Sequence, residues 1–312
     1  MKLASEIKTL FPQLRIRENA PLREYTTFRL GGPCPLLIES ATAGQLPSII
    51  QLLNKARQPF LVIGQGANLI ISDKGIDQVV IRFCSEKPAI EADGNRVTVS
   101  GDTLLDDLAL FTIENKTGDL SYCSGIPGTV GGGIAGNAGA FGKQMGDHLV
   151  SVKLLGLDGQ TRTVLHDELE FSYRHSKLKE TGEIVLSATF KLPVAEQAVM
   201  QAERDRIMEF RRTHHPDWHE TPCAGSVFRN IEPTSAVERR KAAGFFLQEA
   251  GAHLFRAGGA RLYEKHANII VADPGCTAQD VWELSEKMIR AVKDKFGIEL
   301  IREVRFLGSF TA

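Results

Sequence analysis

The sequence predicts an α+β fold, in which hairpins and helices follow one another without the regular strand–helix alternation of a parallel βαβ sheet. Two alternating apolar runs flank Asp158-Gly159 within residues 149–165, which is typical of a β-hairpin. A second strand pair surrounds Asp93-Gly94. The length of 312 residues is more than one small core needs and indicates two or three domains.

Apolar periodicity and turn residues predict the elements of the first third of the chain. Residues 45–58 have apolar side chains at helical spacing and stop before Pro59, which cannot continue a helix. Shorter patterns predict strands at 60–64, 70–72 and 79–83, a second hairpin strand at 97–102 and a helix at 104–115.

The remainder of the chain is predicted to contain strands at 183–192, 268–273 and 299–308 and helices at 196–212, 237–250 and 277–297. Thr277 and Gly297 suit the two ends of the last helix, since threonine caps N-termini and glycine accepts the left-handed conformation at C-termini. In the last strand, alternation places Glu303 on the face opposite Val304 and Phe306.

The composition is that of an ordinary globular protein, with 43% hydrophobic and 24% charged residues. A net charge of −1 gives no electrostatic support for a nucleic-acid or membrane partner. The apolar runs are too short to cross a bilayer, and the N-terminus has no apolar signal-peptide core. Five cysteines without a CxxC motif indicate reduced thiols, so we expect a cytoplasmic protein.

Glycine is concentrated in residues 125–142, GIPGTVGGGIAGNAGAFG, which hold 8 of the 29 glycines. This density costs conformational entropy and is expected where backbone must approach a ligand closely. The apolar residues between the glycines argue against a flexible linker, which would be polar. A second loop, GQGANL at 64–69, is by itself equally well a tight turn. Together the two loops favour a large nucleotide cofactor.

Other motifs have more ordinary interpretations. Gly131-x-Gly133-x-x-Gly136 matches the dinucleotide fingerprint, but it follows a turn rather than a strand, so a phosphate cradle outside a Rossmann fold is favoured. The run HHPDWH at 214–219 is interrupted by proline and lacks zinc-site spacing, so a surface loop is favoured over a metal site. Ser226 is not in a GxSxG elbow, which disfavours a hydrolase.

Eight segments together resemble one enzyme family. They are TTFRLGG (26–32), GQGANLIISDKGI (64–76), GIPGTVGGGIAGNAGAFG (125–142), FSYRHS (171–176), AGSVFRN (224–230), AGFFLQEAG (243–251), GGARLYEKHANIIVAD (258–273) and FGIELIREVRFLG (296–308). Their order and their spread over nearly the whole chain make it similar to the UDP-N-acetylenolpyruvoylglucosamine reductases, also called UDP-N-acetylmuramate dehydrogenases.

The resemblance implies an FAD-binding fold of the vanillyl-alcohol-oxidase type, with two α+β subdomains that hold the flavin and an α+β substrate-binding domain. We place these parts at residues 1–84, 85–199 and 200–312. Ser226 follows Arg174 by only 52 positions, which resembles the shorter form of the family, without a tyrosine-bearing loop over the substrate.

The resemblance also implies the residues of the site. Ser226 would be the proton donor, and Arg174 and Glu303 would be the other two catalytic residues. By composition alone, Arg174 and Glu303 are ordinary solvated charges. Non-covalent FAD would be bound by the two glycine loops, at Gly64, Gln65, Gly66, Ala67, Asn68, Leu69, Pro127, Gly128, Thr129, Gly131, Gly132, Asn137 and Ala138. The substrate, a UDP-sugar, would be bound by Tyr173, Arg212 and Asn230. No metal is expected.

The implied reaction is the NADPH-dependent reduction of the enolpyruvyl double bond of UDP-N-acetylglucosamine enolpyruvate, in peptidoglycan precursor synthesis, on which cell shape and division depend. Hydride would come from flavin N5 and the proton from Ser226. NADPH would reduce the flavin and leave before the substrate binds in the same space, which gives ping-pong kinetics. The sequence leaves the oligomeric state open.

The chain departs from the family pattern at two places in the substrate-binding part. His215-Pro216 stands where Gln-Pro is common, and Arg261-Leu262-Tyr263 stands where Gln-Val-Ser or a similar run is usual. These departures bear on recognition of the uridine diphosphate end of the substrate rather than on the chemistry.

Two alternatives remain from the sequence: an FAD-dependent oxidoreductase of the same fold acting on a different small molecule, and a non-catalytic flavin-binding regulator. No histidine precedes His148, which excludes a histidine-linked flavin in the first loop. The presence of Ser226, Arg174 and Glu303 together speaks against a regulator.

Overall fold

The computed structural model of the chain describes residues 2–233 and 240–311. The α-helices are α1 (Lys2–Leu10), α2 (Leu46–Lys55), α3 (Leu105–Glu114), α4 (Val130–Gly136), α5 (Leu178–Thr181), α6 (Gln197–His214), α7 (Ala243–Glu249) and α8 (Ala278–Phe296). Within the described residues, no helix combines the length and the apolar character that a membrane span requires.

The strands follow in chain order. They are β1 (Arg15–Pro21), β2 (Pro33–Ala41), β3 (Phe60–Ile63), β4 (Leu69–Ile71), β5 (Val79–Phe83), β6 (Ile90–Asp93), β7 (Arg96–Ser100), β8 (Gly139–Ala140), β9 (Lys143–Gln144), β10 (Leu149–Leu155), β11 (Thr161–Leu165), β12 (Ile184–Lys191), β13 (Arg256–Ala257), β14 (Ala260–Tyr263), β15 (His266–Ala272) and β16 (Arg305–Leu307). Most of the predicted elements appear within a few residues of their expected positions.

The chain packs into two compact units that interleave along the sequence. The first comprises Met1–Ala20, Pro35–Gln65 and Gln78–Phe210, and the second comprises Pro21–Cys34, Gly66–Asp77 and Arg211–Ala312. The division of the chain into parts at residues 84 and 199 stays a prediction.

The first unit contains two larger sheets. In the sheet of order β1-β2-β5-β3, β5 pairs in parallel with both β2 and β3. The apolar face of α2 contributes Ile49, Ile50 and Leu53 to the core of this layer, and all three are fully buried. This parallel pairing was not predicted, because short apolar runs do not reveal the direction in which strands pair.

The antiparallel sheet of the first unit has the order β11-β10-β12-β7-β6. It confirms both predicted hairpins, which close at the pairs Asp93↔Arg96 and Leu155↔Thr161. The helix α4 packs against β12 of this sheet. The glycine-rich segment is therefore supported from beneath by a regular sheet.

The second unit is built on the antiparallel sheet β13-β14-β15. The helix α8 packs on β13 and β14, and α7 packs on β15. As predicted, Thr277 and Gly297 bound α8: Thr277 Oγ1 accepts from Asp280 N at 3.0 Å, and Gly297 has a φ of +70°. Strong local end signals explain why this helix was predicted accurately.

Two elements of the second unit differ from the prediction. The last strand was expected at 299–308, but β16 covers only Arg305–Leu307 and pairs in parallel with β4. Residues 301–303 instead make single backbone contacts with residues 227–229. The helix expected at 237–250 is α7, and its predicted start at residue 237 lies outside the described residues.

Candidate active site

The first glycine loop, residues 64–69, connects β3 to β4 and presents backbone amides. A Cβ on Gly64 would lie 2.6 Å from Thr129 Oγ1. Gly66 has a φ of +68°, and its Cβ would lie 2.2 Å from the carbonyl oxygen of Tyr25, so this position requires glycine. The N–H groups of residues 65–68 donate no hydrogen bond to any part of the chain that the structure describes. Such a row of amides suits an anionic group.

The glycine-rich segment contains a short helix, α4, that was not predicted. Thr129 caps it, and its Oγ1 accepts a hydrogen bond from Gly132 N at 3.3 Å. Asn137 ends the helix in the left-handed conformation, with a φ of +43°. Gly128 N donates to Gln65 Oε1, which joins the two loops that were predicted to hold the cofactor.

The fingerprint glycines lie inside α4 rather than in a turn between a strand and a helix, which agrees with setting the Rossmann interpretation aside. Two of them have a packing reason. A Cβ on Gly131 would lie 3.0 Å from Gly101 O, and a Cβ on Gly133 would lie 3.1 Å from Leu105 Cδ2. Glycine at these two positions is therefore explained by the protein itself.

Gly132 and Gly136 have no comparable packing reason. A Cβ on Gly132 would meet Thr129 Oγ1 at 3.5 Å, an ordinary contact, and a Cβ on Gly136 would meet nothing within 4 Å. Glycine in a helix costs up to about 1 kcal/mol relative to alanine. The open side of α4 at these positions fits a ligand that lies directly against the backbone.

Thr103 adds a buried hydroxyl beside the start of α4. Its carbonyl oxygen accepts a hydrogen bond from Val130 N at 2.8 Å. The residue is 1% exposed, and its Oγ1 has no hydrogen-bond partner among the described residues. Buried hydroxyls normally have a partner, so this atom is a further group that a bound ligand could satisfy.

Asn137 joins the end of α4 to the turn that carries Tyr173 and Arg174. It is 1% exposed; its Nδ2 donates to Ser172 O at 2.8 Å, and its Oδ1 accepts from Gly146 N at 3.0 Å. The side-chain amide is thus engaged by the protein. The predicted contact of Asn137 with the cofactor stays a prediction, and it would have to use other atoms of the residue.

Arg174 lies in a tight turn closed by two backbone hydrogen bonds of 3.1 Å between Ser172 and His175. Its φ of +55° is unusual for a residue with a long side chain and indicates a backbone held by its surroundings. Its Nη1 donates to Gly139 O at 2.9 Å, and its guanidinium carbon lies 5.5 Å from the centre of the Tyr173 ring. The turn therefore places Arg174 and Tyr173 next to the glycine-rich segment.

Ser226 begins an extended segment of the second unit that is held from both sides. On one side it bridges to Ile269, and Val227 N donates to Asn268 O at 2.8 Å. On the other side, Glu303 N donates to Val227 O at 2.7 Å. Ser226 is half-buried, and its hydroxyl makes no hydrogen bond to another described residue. The hydroxyl is thus available to a ligand.

Glu303 is connected in turn to the first glycine loop. Its carbonyl oxygen accepts from Asn68 Nδ2 at 3.0 Å, and Asn68 O accepts from Arg305 N at 3.0 Å. Glu303 is half-buried, whereas Val304 is 4% exposed. The second unit therefore brings together three predicted site residues: Asn68, Ser226 and Glu303.

The predicted substrate residues of the second unit lie nearer its surface. Arg212 is exposed on the last turn of α6. Asn230 is also exposed, and its Oδ1 accepts a hydrogen bond from Ala243 N at 3.2 Å, at the start of α7. Their contacts with the substrate stay predictions.

The residues expected to depart from the family pattern make local contacts within the second unit. His215 packs edge-to-face on His266 with ring centres 5.5 Å apart. Burial, followed by the charge of Arg211, lowers the pKa of His215 to about 4, and burial also lowers the pKa of His266. Arg261 Nε donates to Asp273 Oδ1 at 2.8 Å.

In the described part of the chain, no three His, Cys, Asp or Glu side chains are grouped as a metal site.

Sequence reasoning missed Asn268, which is 2% exposed and bonded to the backbone beside Ser226. One signal was present. Asparagine is depleted in strands, yet Asn268 occurs within the apolar run of β15. A buried polar residue in such a run indicates a specific hydrogen-bonding role.

Comparison with known proteins assigns both parts of the chain. Residues 35–165 match the FAD binding domain, and residues 216–307 match the UDP-N-acetylenolpyruvoylglucosamine reductase, C-terminal domain. A Bacillus anthracis protein, UDP-N-acetylenolpyruvoylglucosamine reductase 1, is 37% identical over 296 residues, which cover 94% of this chain and 95% of the relative. The chain belongs to the UDP-N-acetylenolpyruvoylglucosamine reductase family.

Other members of the family support this assignment. The UDP-N-acetylenolpyruvoylglucosamine reductase of Lactobacillus acidophilus is 34% identical over 293 residues, 94% of this chain and 95% of the relative. The crystal structure of the Thermus caldophilus reductase superposes with a TM-score of 0.77 at 28% identity, covering 95% of this chain and 100% of that one. The predicted family, α+β FAD-binding fold, FAD cofactor and oxidoreductase class are confirmed.

The predicted site residues are distributed between the two matched regions and the segment that separates them. The FAD binding domain includes both glycine loops. The C-terminal domain of the reductase includes Ser226, Asn230 and Glu303. Tyr173, Arg174 and Arg212 lie between the two matches, so their assignment depends on the resemblance of their segments alone.

Proposed function

We propose that this chain reduces the enolpyruvyl double bond of UDP-N-acetylglucosamine enolpyruvate to give UDP-N-acetylmuramate, with NADPH as the source of electrons. The observation that carries the proposal is the hydrogen bond from Glu303 N to Val227 O, which joins the backbone of Glu303 to the residue that follows Ser226, in a chain of this family. An ionisable acid and an unengaged hydroxyl on backbone segments that are bonded to each other suit a reaction that needs proton delivery. We also propose a cytoplasmic location.

The roles of the residues follow from the substrate. Its double bond is conjugated to a carboxylate, so hydride addition at the terminal carbon moves negative charge towards that carboxylate. The other alkene carbon, which bears the ether oxygen, then needs a proton. FAD, when bound, supplies the hydride from N5. The side chains of this protein must stabilise the charge and deliver the proton.

We propose that the two glycine loops hold FAD without a covalent bond. The unengaged amides of residues 65–68, the open side of α4 and the hydroxyl of Thr103 support this role. The amides would bond to phosphate oxygens, and the absence of side chains at Gly132 and Gly136 would allow close approach. NADPH would act first and leave before the substrate binds.

Ser226 is proposed as the proton donor. A serine hydroxyl is a weak acid, but the charge that builds on the substrate carbon is basic enough to take its proton. The O–H bond of Ser226 breaks as the new C–H bond forms, and the serine oxygen afterwards regains a proton from water.

Arg174 and Glu303 are proposed to stabilise the developing charge. The planar guanidinium of Arg174 matches a carboxylate in geometry as well as in charge, and its strained turn favours a functional role. Glu303 would share a hydrogen bond with the reacting group. Tyr173, Arg212 and Asn230 would bind the rest of the UDP-sugar.

The proposal is tested with the two half-reactions under anaerobic conditions. NADPH should bleach the yellow protein, and UDP-N-acetylglucosamine enolpyruvate should restore the colour while gaining two hydrogens, as seen by mass spectrometry. UDP-N-acetylglucosamine, which lacks the double bond, is the matched control and should leave the protein reduced. A reduced protein that ignores the enolpyruvyl compound but is oxidised by another small molecule would establish the alternative oxidoreductase instead.

A further inference from the structure

Asn268 makes an unusual pair of hydrogen bonds in the core of the second unit. Its Oδ1 accepts from Phe228 N at 3.0 Å, and its Nδ2 donates to Phe228 O at 2.8 Å. Both the N–H and the C=O of one residue are thus held by one amide side chain. Asn268 is 2% exposed and Phe228 is 1% exposed, so water cannot replace either bond without rearrangement.

The side chain is needed because the segment at 226–229 leaves the regular ladder of β15. Val227 N still reaches the backbone of this strand, at Asn268 O, with a bond of 2.8 Å. At Phe228 the segment has turned to bridge Arg302 on its other side. The amide of Asn268 spans the gap that this turn opens, where a strand would otherwise offer a backbone partner.

The same segment links the two groups that the proposed function requires. Ser226 precedes Val227, whose N–H is held by Asn268 O and whose carbonyl oxygen accepts from Glu303 N at 2.7 Å. The position of Ser226 and that of Glu303 therefore both depend on the path of residues 227 and 228. Asn268 fixes that path through one backbone bond and two side-chain bonds.

We propose that Asn268 is a positioning residue for protonation of the substrate, acting through Val227 and Phe228 on Ser226 and Glu303. This inference rests on the proposed function. Asn268 itself touches no reacting atom. Its role is to keep the Ser226 hydroxyl at one distance from the substrate and on one face of it. A displacement of about 1 Å at a reacting group costs about 10²-fold in rate.

The configuration of the product gives a readout that a merely structural role would not change. The protonated carbon becomes a stereocentre, so delivery from one face by a fixed Ser226 gives one configuration. If Ser226 is displaced, water can donate from either face. Asn268→Ala should therefore slow substrate-dependent oxidation of the reduced protein by about 10²-fold and give a mixture of configurations, while reduction by NADPH stays within about twofold of wild type.

Asn268→Asp provides a conservative variant whose two hydrogen bonds to Phe228 depend on pH. A protonated carboxyl reproduces both bonds, with its C=O accepting from Phe228 N and its O–H donating to Phe228 O. Burial raises the pKa of a carboxyl above its ordinary value of about 3.9. The rate of the substrate step in this variant should thus be closest to wild type at low pH and fall as pH rises through the raised pKa. The neighbouring His266, Arg302 and Glu303 are common to both proteins, so dividing the variant profile by that of wild type isolates the new carboxyl.

Two control variants distinguish a failure of the positioning role of Asn268 from a failure of the proposed function. Asn95→Ala, in the other unit, removes a comparable bond from Asn95 Nδ2 to Leu192 O of 2.8 Å and should alter neither half-reaction. Ser226→Ala tests the proposed function itself: an unchanged substrate step in that variant refutes the role of Ser226, whatever Asn268 does. If Ser226→Ala is slow but Asn268→Ala keeps the wild-type rate and a single configuration, the positioning role is wrong. Equal losses in both half-reactions with one configuration would also refute it, and should Asn268→Ala fail to fold, the pH profile of Asn268→Asp decides.

Discussion

Replacing Gly132 by alanine should make the protein more stable without FAD and weaken its binding of FAD. The new Cβ would meet only Thr129 Oγ1, at 3.5 Å, so it fits the protein. Glycine is up to about 1 kcal/mol less favourable than alanine in a helix. For a protein of this size, a gain of that order raises the melting temperature by roughly 2 °C.

The expected loss of FAD affinity comes from the same methyl group. Gly132 is exposed at the first turn of α4, on the side that we assign to the cofactor. A methyl group there would push a closely bound ligand away from the backbone of α4, and we expect at least a tenfold rise in Kd, about 1.4 kcal/mol. The two effects have opposite signs, so a general loss of structure cannot imitate them.

The assay compares melting temperatures of the FAD-free proteins and titrates FAD by quenching of its fluorescence. Gly44→Ala is the matched control, since a Cβ on Gly44 meets nothing within 4 Å and the residue lies outside both glycine loops. Gly131→Ala is expected to destabilise even the FAD-free protein, because its Cβ would lie 3.0 Å from Gly101 O. An unchanged FAD Kd in Gly132→Ala would refute the reasoning that the open side of α4 faces the cofactor.

Four further outcomes are expected. Acid precipitation should release the yellow colour into the supernatant; colour that stays in the pellet would mean covalent FAD. Ser226→Ala should keep NADPH-dependent bleaching but slow re-oxidation by the enolpyruvyl substrate by at least about 10²–10⁴-fold, and equal losses in both steps would make Ser226 structural. Glu303→Gln and Arg174→Lys should each lose at least roughly 10²-fold in the substrate step with little change in melting temperature, so wild-type rates in both would exclude this catalytic assignment. Because folding lowers the pKa of His215 from 6.5 to about 4, proton binding favours the unfolded chain. Wild type should therefore lose stability relative to His215→Gln as pH falls through this range. Denaturation midpoints that change in parallel with pH in both proteins would contradict a buried, neutral imidazole.

The parts of the fold that the sequence predicted well are those with local signals. Asp158-Gly159 closes the β10–β11 hairpin, where Gly159 has a φ of +83° that its lack of a side chain permits. Thr277 and Gly297 mark the ends of α8 through hydrogen bonds within one turn. In each case the residues that specify the structure lie within a few positions of the structure they specify.

The parts that were missed depend on distant contacts or on packing that overrides propensity. The parallel pairing of β4 with β16 joins Leu69 to Arg305, and no feature of either run identifies its partner. The helix α4 has four glycines in seven residues, which disfavours a helix by local propensity. Its cap at Thr129 and its packing on β12 outweigh that cost.

The candidate site was predicted from two sources, the glycine content of the loops and the family resemblance. The first predicted contact with a cofactor, and the second predicted the catalytic residues. Glycine density predicted close contact between backbone and a phosphate-containing cofactor at residues 125–142, whereas the unengaged amides that suit such a cofactor lie in the other loop, at 65–68. The roles of Ser226 and Glu303 came from the family resemblance, because serine and glutamate in themselves carry no such signal. Their proximity depends on backbone contacts between residues 227–229 and 301–303, which are far apart in the sequence.

Asn68 shows why a residue assigned by motif can have two roles that single substitutions confuse. The resemblance assigns it to the cofactor, yet its Nδ2 donates to Glu303 O at 3.0 Å, and its own carbonyl oxygen accepts from Arg305 N at 3.0 Å. Its backbone N–H, in contrast, belongs to the unengaged amides of the loop. A side-chain substitution at Asn68 therefore acts first on the position of Glu303 and only secondarily on the amides, whereas Gly66, with no side chain and a φ of +68°, shapes the amides directly. Loss of activity in an Asn68 variant is thus no measure of FAD binding unless the FAD Kd is determined alongside it.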